Sequence, residues 1–375
     1  MAAPSISTTS YPPSLPAFLR QSKAGSTASL TCINSDIHAK FIDLEWQQRN
    51  RLLQGAQQQQ STASPPHQFS RLNPSLTATR NRYLNVEPYA QNRIKLRVAD
   101  GLNDYINASP IQLGVRRYIA TQGPKEGGLN GFWRMVGDVG EKVVVVMLTQ
   151  THEAGREKCF RYYPLSAEES PLRVPEDEEM GDDRFCGEVE LVRTEDDWDT
   201  RSQIRRMRLR TRQDKTEEEK EVEIHHLLFS GWPDFLIPEG DHRAALVELI
   251  HLSADLNTRP PSSTSKQTNG ASSHFPTDQS QAPPRIIHCS AGVGRSGTFI
   301  ALDYLLSHMH TGELDDLPPD KDPIADTVDL LRQQRMMMVQ GESQFNFLYE
   351  VLRERWMARS QGGDARGGAE AGARF

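Results

Sequence analysis

The sequence predicts an α/β fold: a single domain with a central mixed β-sheet flanked by helices. Residues 143–149 are apolar at successive positions, which is typical of a strand covered on both faces of a mixed or parallel sheet. Residues 285–288 are a second apolar run, and a glycine-containing loop joins them to a helical stretch at 299–310. The chain has 375 residues. Because a single core stops growing at about 250–300 residues, this length indicates one large domain with tails and insertions, or two smaller domains.

Predicted tails and insertions account for the residues beyond one core. Residues 1–29 and 358–375 predict a disordered leader and tail. The acidic, proline-containing residues 166–183 predict a solvated loop insertion. Residues 257–285 hold one large apolar residue and cannot bury enough surface to offset their ordering entropy. This composition predicts a disordered insertion within the domain, with a domain boundary as the alternative.

Hydrophobic periodicity predicts the regular elements between these segments, with helical spacing in some stretches and short β-type runs in others. The predicted helices are 35–53, 129–139, 242–256 and 299–310, and the predicted strands are 117–121, 143–149, 202–212, 221–229 and 285–288. A charged hairpin tip at 213–220 joins the strands on either side of it.

The net charge of the chain limits which partners the protein is expected to bind. The 43 Lys and Arg residues against 50 Asp and Glu residues give a net charge of −7, which argues against general nucleic-acid binding. A small anionic substrate stays compatible, because one pocket can be locally positive on an acidic protein. No stretch approaches the ~20 apolar residues of a membrane span, and the N-terminus does not resemble a secretory signal. We expect a cytoplasmic monomer, with nuclear access left open, that binds neither nucleic acid nor membrane.

The four cysteines, Cys32, Cys159, Cys186 and Cys289, lie far apart in the sequence. A zinc site needs clustered ligands, and disulfide frameworks belong to shorter, cysteine-rich chains. We therefore expect reduced thiols and no metal site. One of these thiols then becomes a candidate nucleophile.

The segment that carries chemistry is the loop after the strand at 285–288. Gly292 and Gly294 allow the loop N–H groups to turn inward as an anion nest, to which the following helix dipole adds positive potential. Arg295 offers a planar fork of donors suited to two phosphate oxygens. The same field stabilises the thiolate of Cys289, the form that attacks phosphorus. The alternative is an inert buried cysteine beside a helix cap, which the combination of these residues disfavours.

A proton donor for the leaving group is expected in the Trp232-Pro233-Asp234 turn. Expelling a phenolate or alkoxide near neutral pH gains roughly 10²–10⁴-fold from general acid catalysis. Asp234 offers a carboxylic acid on a rigid turn within a loop that can close over a pocket. For an isolated Pro-Asp pair, an ordinary turn residue is the simpler interpretation.

Residues 288–298 (HCSAGVGRSGT) resemble the signature loop of the classical protein tyrosine phosphatases, and the resemblance extends from about residue 30 to 357. It implies the family fold, with a highly twisted central mixed sheet flanked by helices, and a reaction without a metal or cofactor. It also implies that Cys289 is the nucleophile, that Asp234 is the general acid, and that Ser296 assists thiolate departure. The implied phosphate-binding residues are Ser290, Ala291, Gly292, Val293, Gly294 and Arg295, with His288 and Trp232 as supporting residues.

Further motifs carry the same resemblance. Tyr83, in Asn-Arg-Tyr, resembles the residue that stacks on the phosphotyrosine ring, and Asn85 stands where the family commonly contacts the substrate backbone. Glu153 is implied to orient Arg295, and Lys158 to approach the acid loop. Gln340 and Gln344 are implied to orient the hydrolytic water. Three positions depart from the family pattern, namely Leu236 for Gly, Tyr163 for Trp and Gly341 for Thr.

The sequence therefore predicts a protein tyrosine phosphatase that acts on phosphotyrosine-containing proteins through a phosphocysteine intermediate. A dual-specificity or phosphoinositide phosphatase is the first alternative. A catalytically silent phosphotyrosine-binding module is the second, and a scaffold that works through its insertions is the third.

Overall fold

A computed structural model describes residues 15–20, 30–59, 67–176, 185–212, 219–232, 236–260 and 282–370. Its helices are α1 Ala17–Arg20, α2 Leu30–Gln59, α3 Pro74–Thr77, α4 Leu129–Val139, α5 Asp241–Thr258, α6 Gly294–Thr311, α7 Pro323–Gln334 and α8 Glu342–Glu370. Its strands are β1 Ala108–Leu113, β2 Arg116–Thr121, β3 Lys142–Met147, β4 His152–Glu153, β5 Arg156–Glu157, β6 Leu172–Arg173, β7 Cys186–Asp197, β8 Ser202–Arg212, β9 Lys220–Phe229 and β10 Arg285–His288.

An eight-stranded mixed sheet forms the centre of the described structure, in the order β1-β2-β10-β3-β9-β8-β7-β6. The four central strands, β2, β10, β3 and β9, run parallel, and antiparallel strands extend the sheet on both sides. Helices flank this sheet, so the predicted α/β class and mixed sheet are confirmed. Strand β10 follows the 257–285 insertion and pairs between β2 and β3. Both sides of that insertion therefore belong to one sheet.

Strand β3 shows why its sequence is apolar at every position. Val143 and Val145 face the core that contains α4, whereas Val144 and Val146 face the larger core formed with α5, α6, α7 and α8. All four side chains are fully buried. Because successive residues of a strand point to opposite faces, a strand covered on both sides needs apolar residues throughout.

A buried ion cluster ties the N-terminal end of β10 to helix α6. Arg116 Nη1 donates to both carboxylate oxygens of Asp303 at 3.2 and 3.1 Å. Arg285 and Tyr118 also donate to Asp303. Burial opposes ionisation of Asp303, but the charges of Arg285 and Arg116 outweigh it and hold its pKa below the ordinary value.

Two segments differ from the expected leader and tail. Within residues 1–29, the described residues 15–20 include α1, whose Phe18 and Leu19 are buried against α8. The Leu19 carbonyl accepts a hydrogen bond of 3.0 Å from Arg353 Nε. The expectation of disorder is therefore wrong for residues 15–20, because these apolar side chains complete the core beside α8. Helix α8 likewise runs to Glu370, well into the predicted tail 358–375; residues 1–14, 21–29 and 371–375 lie outside the described residues.

The two predicted insertions are described only in part. Within 166–183, β6 pairs with β7, so this portion is an edge strand rather than a plain loop; residues 177–183 lie outside the described residues. Within 257–285, residues 261–281 lie outside them. The ends of this segment are joined, because Asn257 Nδ2 donates to the Pro283 carbonyl at 2.9 Å. In the predicted hairpin tip, 213–220, residues 213–218 lie outside the described residues.

Candidate active site

The loop that carries Cys289 begins where β10 ends and leads directly into α6. The Gly292 N–H donates to Cys289 Sγ at 3.3 Å. Gly292 has a φ of +71°, and a Cβ at this position would lie 2.1 Å from the Thr121 carbonyl oxygen. Only glycine fits both the backbone angle and the close approach of β2. The loop therefore turns the amide of Gly292 toward the sulfur.

Arg295 is held by a two-point bond to a carboxylate. Its Nη1 lies 2.6 Å from Glu153 Oε1 and its Nη2 lies 2.8 Å from Oε2. Glu153 also accepts hydrogen bonds from the Thr149 hydroxyl and the Gln150 N–H. Burial opposes ionisation of Glu153, but the hydrogen bonds and charge of Arg295 outweigh it, so the pKa of Glu153 lies below its ordinary value. The geometry fixes the plane of the guanidinium before any ligand arrives.

Arg335 supports the same loop from behind, a role that the sequence did not reveal. Its side chain is fully buried. Nε donates to the Gly292 carbonyl at 2.9 Å, and Nη2 donates to the Ala291 carbonyl at 3.1 Å and to Asn107 Oδ1 at 2.7 Å. Burial lowers its pKa to about 10, so it stays protonated at neutral pH. By holding these carbonyls outward, Arg335 leaves the N–H groups of the loop turned inward.

Tyr83 lies at the edge of the loop and is partly exposed. Its hydroxyl is 2.9 Å from Ser290 Oγ, which in turn donates to the Lys158 carbonyl at 2.9 Å. The structure thus brings the predicted residues Tyr83, Ser290 and Lys158 together. Asn85, two residues along, is exposed. Lys158 is buried, and its approach to the acid loop stays a prediction.

The segment with the two predicted glutamines packs on the first turn of α6. The side-chain amide of Gln344 lies so close to Gly294 that a Cβ there would be 3.0 Å from both of its polar atoms. The backbone of Val339 lies closer still to Gly297, where a Cβ would be 2.4 Å from the Val339 nitrogen. The Val339 N–H donates to the Val293 carbonyl at 3.2 Å. Gln340 is exposed. Both glutamines therefore belong to the segment that borders the cysteine loop, and the contact with Gly294 involves Gln344.

Ser296 of α6 and His288, which precedes Cys289 in the chain, are both fully buried. Ser296 Oγ is buried and has no hydrogen-bond partner among the described residues, so its proton is available to a nearby acceptor. His288 is fully buried, and burial lowers its pKa to about 4. Cys159 is also buried, and burial raises its pKa, as suits an inert structural thiol.

The predicted general acid lies outside the described residues, which stop at Trp232 and resume at Leu236. The residues on either side are in contact, because Trp232 Nε1 donates to the Leu236 carbonyl at 3.0 Å. Trp232 is buried, whereas Leu236 is 60% exposed. The base of the segment that contains Asp234 is therefore fixed, and the role of Asp234 stays a prediction.

Within the described part of the chain, no group of three His, Cys, Asp or Glu side chains could hold a metal ion. Nor is any described helix long and apolar enough to cross a membrane.

The structure places a cysteine after the strand between β2 and β3, with a loop N–H bonded to its sulfur, and it clamps the following arginine with a carboxylate. This is the arrangement of a cysteine-based phosphatase. The sequence model of the Protein-tyrosine phosphatase family matches residues 77–354. The chain belongs to this family.

Several relatives support the assignment. Tyrosine-protein phosphatase 2 of Schizosaccharomyces pombe is 34% identical over 281 residues, which cover 73% of this chain and 33% of the relative. Tyrosine-protein phosphatase 1 of Saccharomyces cerevisiae is 32% identical over 307 residues, with 73% and 81% covered. Human Phosphatidylinositol phosphatase PTPRQ is 33% identical over 278 residues, with 73% and 10% covered. This chain thus spans about a third of the first relative and a tenth of the last.

Solved structures show the same fold. A structure of PTPN18 in complex with HER2 phosphopeptides is 26% identical and superposes with a TM-score of 0.63, covering 87% of this chain and 95% of that one. A second PTPN18 structure gives a TM-score of 0.61 at 25% identity.

Proposed function

We propose that this protein hydrolyses phosphotyrosine in proteins through a phosphocysteine intermediate. The observation that carries the proposal is the Gly292 N–H donating to Cys289 Sγ in a loop whose Arg295 is clamped by Glu153. A thiolate stabilised by inward N–H groups is a competent nucleophile for phosphorus. Family membership and the phosphopeptides bound to the related PTPN18 support the choice of substrate.

In the first step, the Cys289 thiolate attacks phosphorus as the bond from phosphorus to the tyrosine oxygen breaks. Arg295 and the loop N–H groups from Ser290 to Gly294 bind the equatorial phosphoryl oxygens, where charge is spread in the transition state. Asp234 gives its proton to the departing tyrosine oxygen. The products of this step are a phosphocysteine and the protein substrate with its tyrosine hydroxyl restored.

In the second step, water replaces sulfur on phosphorus. Gln340 and Gln344 orient the water, because amide side chains donate and accept hydrogen bonds without acting as nucleophiles. Asp234, now a carboxylate, takes the proton of that water. Ser296 donates its hydroxyl proton in a hydrogen bond to the departing sulfur, and this role is supported because its hydroxyl has no other partner among the residues that the structure describes. Inorganic phosphate leaves. Nucleophile, anion site and proton carrier are all side chains or backbone groups, so the reaction needs neither a metal nor a cofactor.

The preference for phosphotyrosine is assigned to Tyr83 and Asn85. Tyr83, held by the bond to Ser290, gives the loop an aromatic wall that favours a flat ring. Asn85 is exposed beside it and suits a backbone contact with a substrate peptide. We also propose a cytoplasmic monomer. The reduced thiols of Cys159 and Cys289 support the cytoplasmic part of this proposal, because the nucleophile must stay reduced.

A phosphoinositide phosphatase is the second candidate, favoured by one observation. A relative of the same identity level, human PTPRQ, is named as a phosphatidylinositol phosphatase. Turnover of a phosphotyrosine peptide should be compared with that of a phosphothreonine peptide and of phosphoinositide vesicles under identical conditions. A higher kcat/KM for the vesicles than for the phosphotyrosine peptide would replace our proposal with this candidate.

Substrate trapping provides the direct test. Asp234→Ala should bind phosphotyrosine proteins without dephosphorylating them, because the loop and Arg295 are intact while the leaving group lacks its proton donor. Captured proteins should carry phosphotyrosine, and vanadate should release them. In the control variant Cys289→Ser, hydrolysis of an aryl phosphate should vanish. Turnover that persists in Cys289→Ser would exclude the phosphocysteine route. In Gln344→Ala, acid quenching should reveal a phosphoryl group on the peptide that carries Cys289.

A further inference from the structure

Three fully buried polar side chains form a row behind the cysteine loop. The Tyr162 hydroxyl lies 2.8 Å from Nε2 of His226 and 2.6 Å from Nε2 of His288. At the end of the row, His288 Nδ1 lies 3.3 Å from the carbonyl oxygen of Cys289. His226 comes from β9 and His288 from β10, whereas Tyr162 follows β5. We refer to these three residues as the His226–Tyr162–His288 row.

The chemistry of the atoms sets the direction of each hydrogen bond. Burial lowers the pKa of His226 well below its ordinary value and that of His288 to about 4, and burial raises the pKa of Tyr162. All three side chains are therefore neutral at pH 7, and each imidazole carries one N–H. A carbonyl only accepts, so His288 carries its proton on Nδ1 to bond Cys289. Its Nε2 then accepts from the Tyr162 hydroxyl.

The tautomer of His226 follows from the direction of the Tyr162 hydrogen bond. Because the Tyr162 proton is directed to His288, the Tyr162 oxygen accepts from His226, which must carry its proton on Nε2. Nδ1 of His226 is buried and has no hydrogen-bond partner in the described part of the chain. In this tautomer Nδ1 is a bare lone pair, which is less costly to bury than an unsatisfied N–H donor. In every hydrogen bond of the row, the hydrogen therefore points along the row toward Cys289.

We propose that His226 is a positioning residue for the nucleophile, which fixes the direction of the row and, through Tyr162, the tautomer of His288. The aligned bonds turn their positive ends toward Cys289 and so favour its thiolate. This inference rests on the proposed function, since the thiolate matters only where Cys289 is the nucleophile. It differs from a packing role, because it predicts a change in the ionisation of Cys289 rather than in stability alone.

Other charged and titratable groups also act on this region. Arg205 of β8 lies close enough to His226 to lower its pKa, and its guanidinium stacks 4.2 Å from the Tyr163 ring. Among the described residues, further charged or titratable groups near the row or the cysteine loop are Tyr163, Arg82, Glu153, Cys159, Arg295 and Arg335. All of them are unchanged in the variants below, so a shift reports on the row itself.

The test measures alkylation of Cys289 by iodoacetamide against pH, followed by mass spectrometry of the peptide that contains it. This readout needs no catalysis, and it separates Cys289 from the exposed Cys186. In His226→Asn, the amide reaches the position of Nδ1 but not that of Nε2. We expect the pH midpoint for alkylation of this variant to rise by roughly half a unit. At pH values below the midpoint, the alkylation rate should then be about threefold lower than in the wild type. In His226→Gln, an amide N–H occupies the position of Nε2, and the midpoint should stay at the wild-type value.

Two further variants complete the design. His225→Gln is the matched control, because His225 is the neighbouring strand residue and bonds Glu223 at 2.9 Å, outside the row; its midpoint should not move. Tyr162→Phe removes one hydroxyl without changing shape, and it should raise the midpoint at least as far as His226→Asn. If His226→Asn fails to fold, Tyr162→Phe decides alone. Wild-type midpoints in both variants, or equal shifts in the Asn and Gln variants, would overturn the proposal. If the midpoints shift as expected but the wild type hydrolyses no phosphotyrosine, the proposed function fails instead.

Discussion

The two ends of strand β10 use buried arginines in opposite ways. At the N-terminal end, Arg285 and Arg116 share the carboxylate of Asp303 and satisfy their remaining N–H groups in part on Ser253 and Ser307. Past the C-terminal end, in the loop and helix that follow Cys289, Arg295 pairs with Glu153. In the first set, the charged groups neutralise one another, and the cluster stabilises the fold. The second set is oriented around a reacting sulfur.

The largest expected effect is on activity, at the C-terminal end. Arg295→Lys should lower kcat/KM for an aryl phosphate by at least about 10³-fold, because an ammonium cannot replace two parallel N–H donors to the phosphoryl oxygens. Its melting temperature should stay close to that of the wild type. Steady-state kinetics and a thermal melt measure both quantities. Near-normal turnover in this variant would end the distinction between the two ends.

At the N-terminal end of β10, a substitution within the ion cluster should lower stability rather than activity. Asp303→Asn leaves two buried arginines without their carboxylate, and breaking such a cluster costs about 3–5 kcal/mol of unfolding free energy. Chemical denaturation measures this loss. Below the melting temperature, kcat of the folded fraction should fall less than tenfold. A loss of activity without a loss of stability would contradict the assigned role.

His288, at the C-terminal end of β10, should make stability depend on pH. Its folded pKa of about 4 lies below the ordinary 6.5, so the unfolded chain takes up the proton first as pH falls. Its contribution is therefore complete above pH 6.5 and is lost between pH 6.5 and about 4, by up to about 3 kcal/mol. Unfolding free energies measured across this window should fall more steeply in the wild type than in His288→Asn. Equal slopes would show that His288 does not remain neutral in the folded protein.

Glu153→Gln applies the carboxylate-to-amide change to the C-terminal end. One of the two bonds to Arg295 loses its charge and the guanidinium is held less firmly, so kcat/KM should fall by roughly 10–100-fold. The loss of stability should be smaller than in Asp303→Asn. Measuring both variants by the same kinetic and denaturation assays compares the two ends directly. A larger destabilisation in Glu153→Gln would reverse the comparison.

Exposed arginines should matter least. Arg210 in β8 lies 3.0 Å from Glu190 and 3.4 Å from Glu221, and its side chain is 36% exposed. Because such ion pairs are screened by water, Arg210→Ala should change the unfolding free energy by less than about 1 kcal/mol, with no change in kcat. A denaturation curve is sufficient. A loss comparable to that of Asp303→Asn would mean that exposure does not separate the two kinds of ion pair.

The sequence predicted the elements whose own residues determine them. Helix α4 and strand β8 have the predicted bounds, since periodicity alone specifies them. The long β7 was not among the predicted strands, because its acidic end, up to Asp197, is stabilised by pairing with β8 rather than by its own propensity. In the leader, Phe18 and Leu19 gain their helix from packing against α8, which a local proline- and serine-rich context hides.

For the site, the motif located Cys289, Arg295 and Glu153, and the structure pairs Arg295 with Glu153. It did not reveal Arg335, although that side chain holds two loop carbonyls. Nor did it reveal the place of His226 beside Tyr162. Both residues act through contacts between elements far apart in the chain, and no spacing rule within one segment encodes such contacts. A buried arginine or histidine next to an apolar run is the signal that could have indicated them.

The joined ends of the 257–285 segment have a consequence for how this gene can vary. Asn257 and Pro283 close the segment at the N-terminal end of β10, whereas Cys289 follows the opposite end of that strand. Lengthening a closed loop costs little free energy, since the closure penalty grows only with the logarithm of its length. Evolution can therefore add or remove residues here without displacing the nucleophile. For the same reason, this is the place where a reporter or affinity tag can be inserted in the interior of the domain.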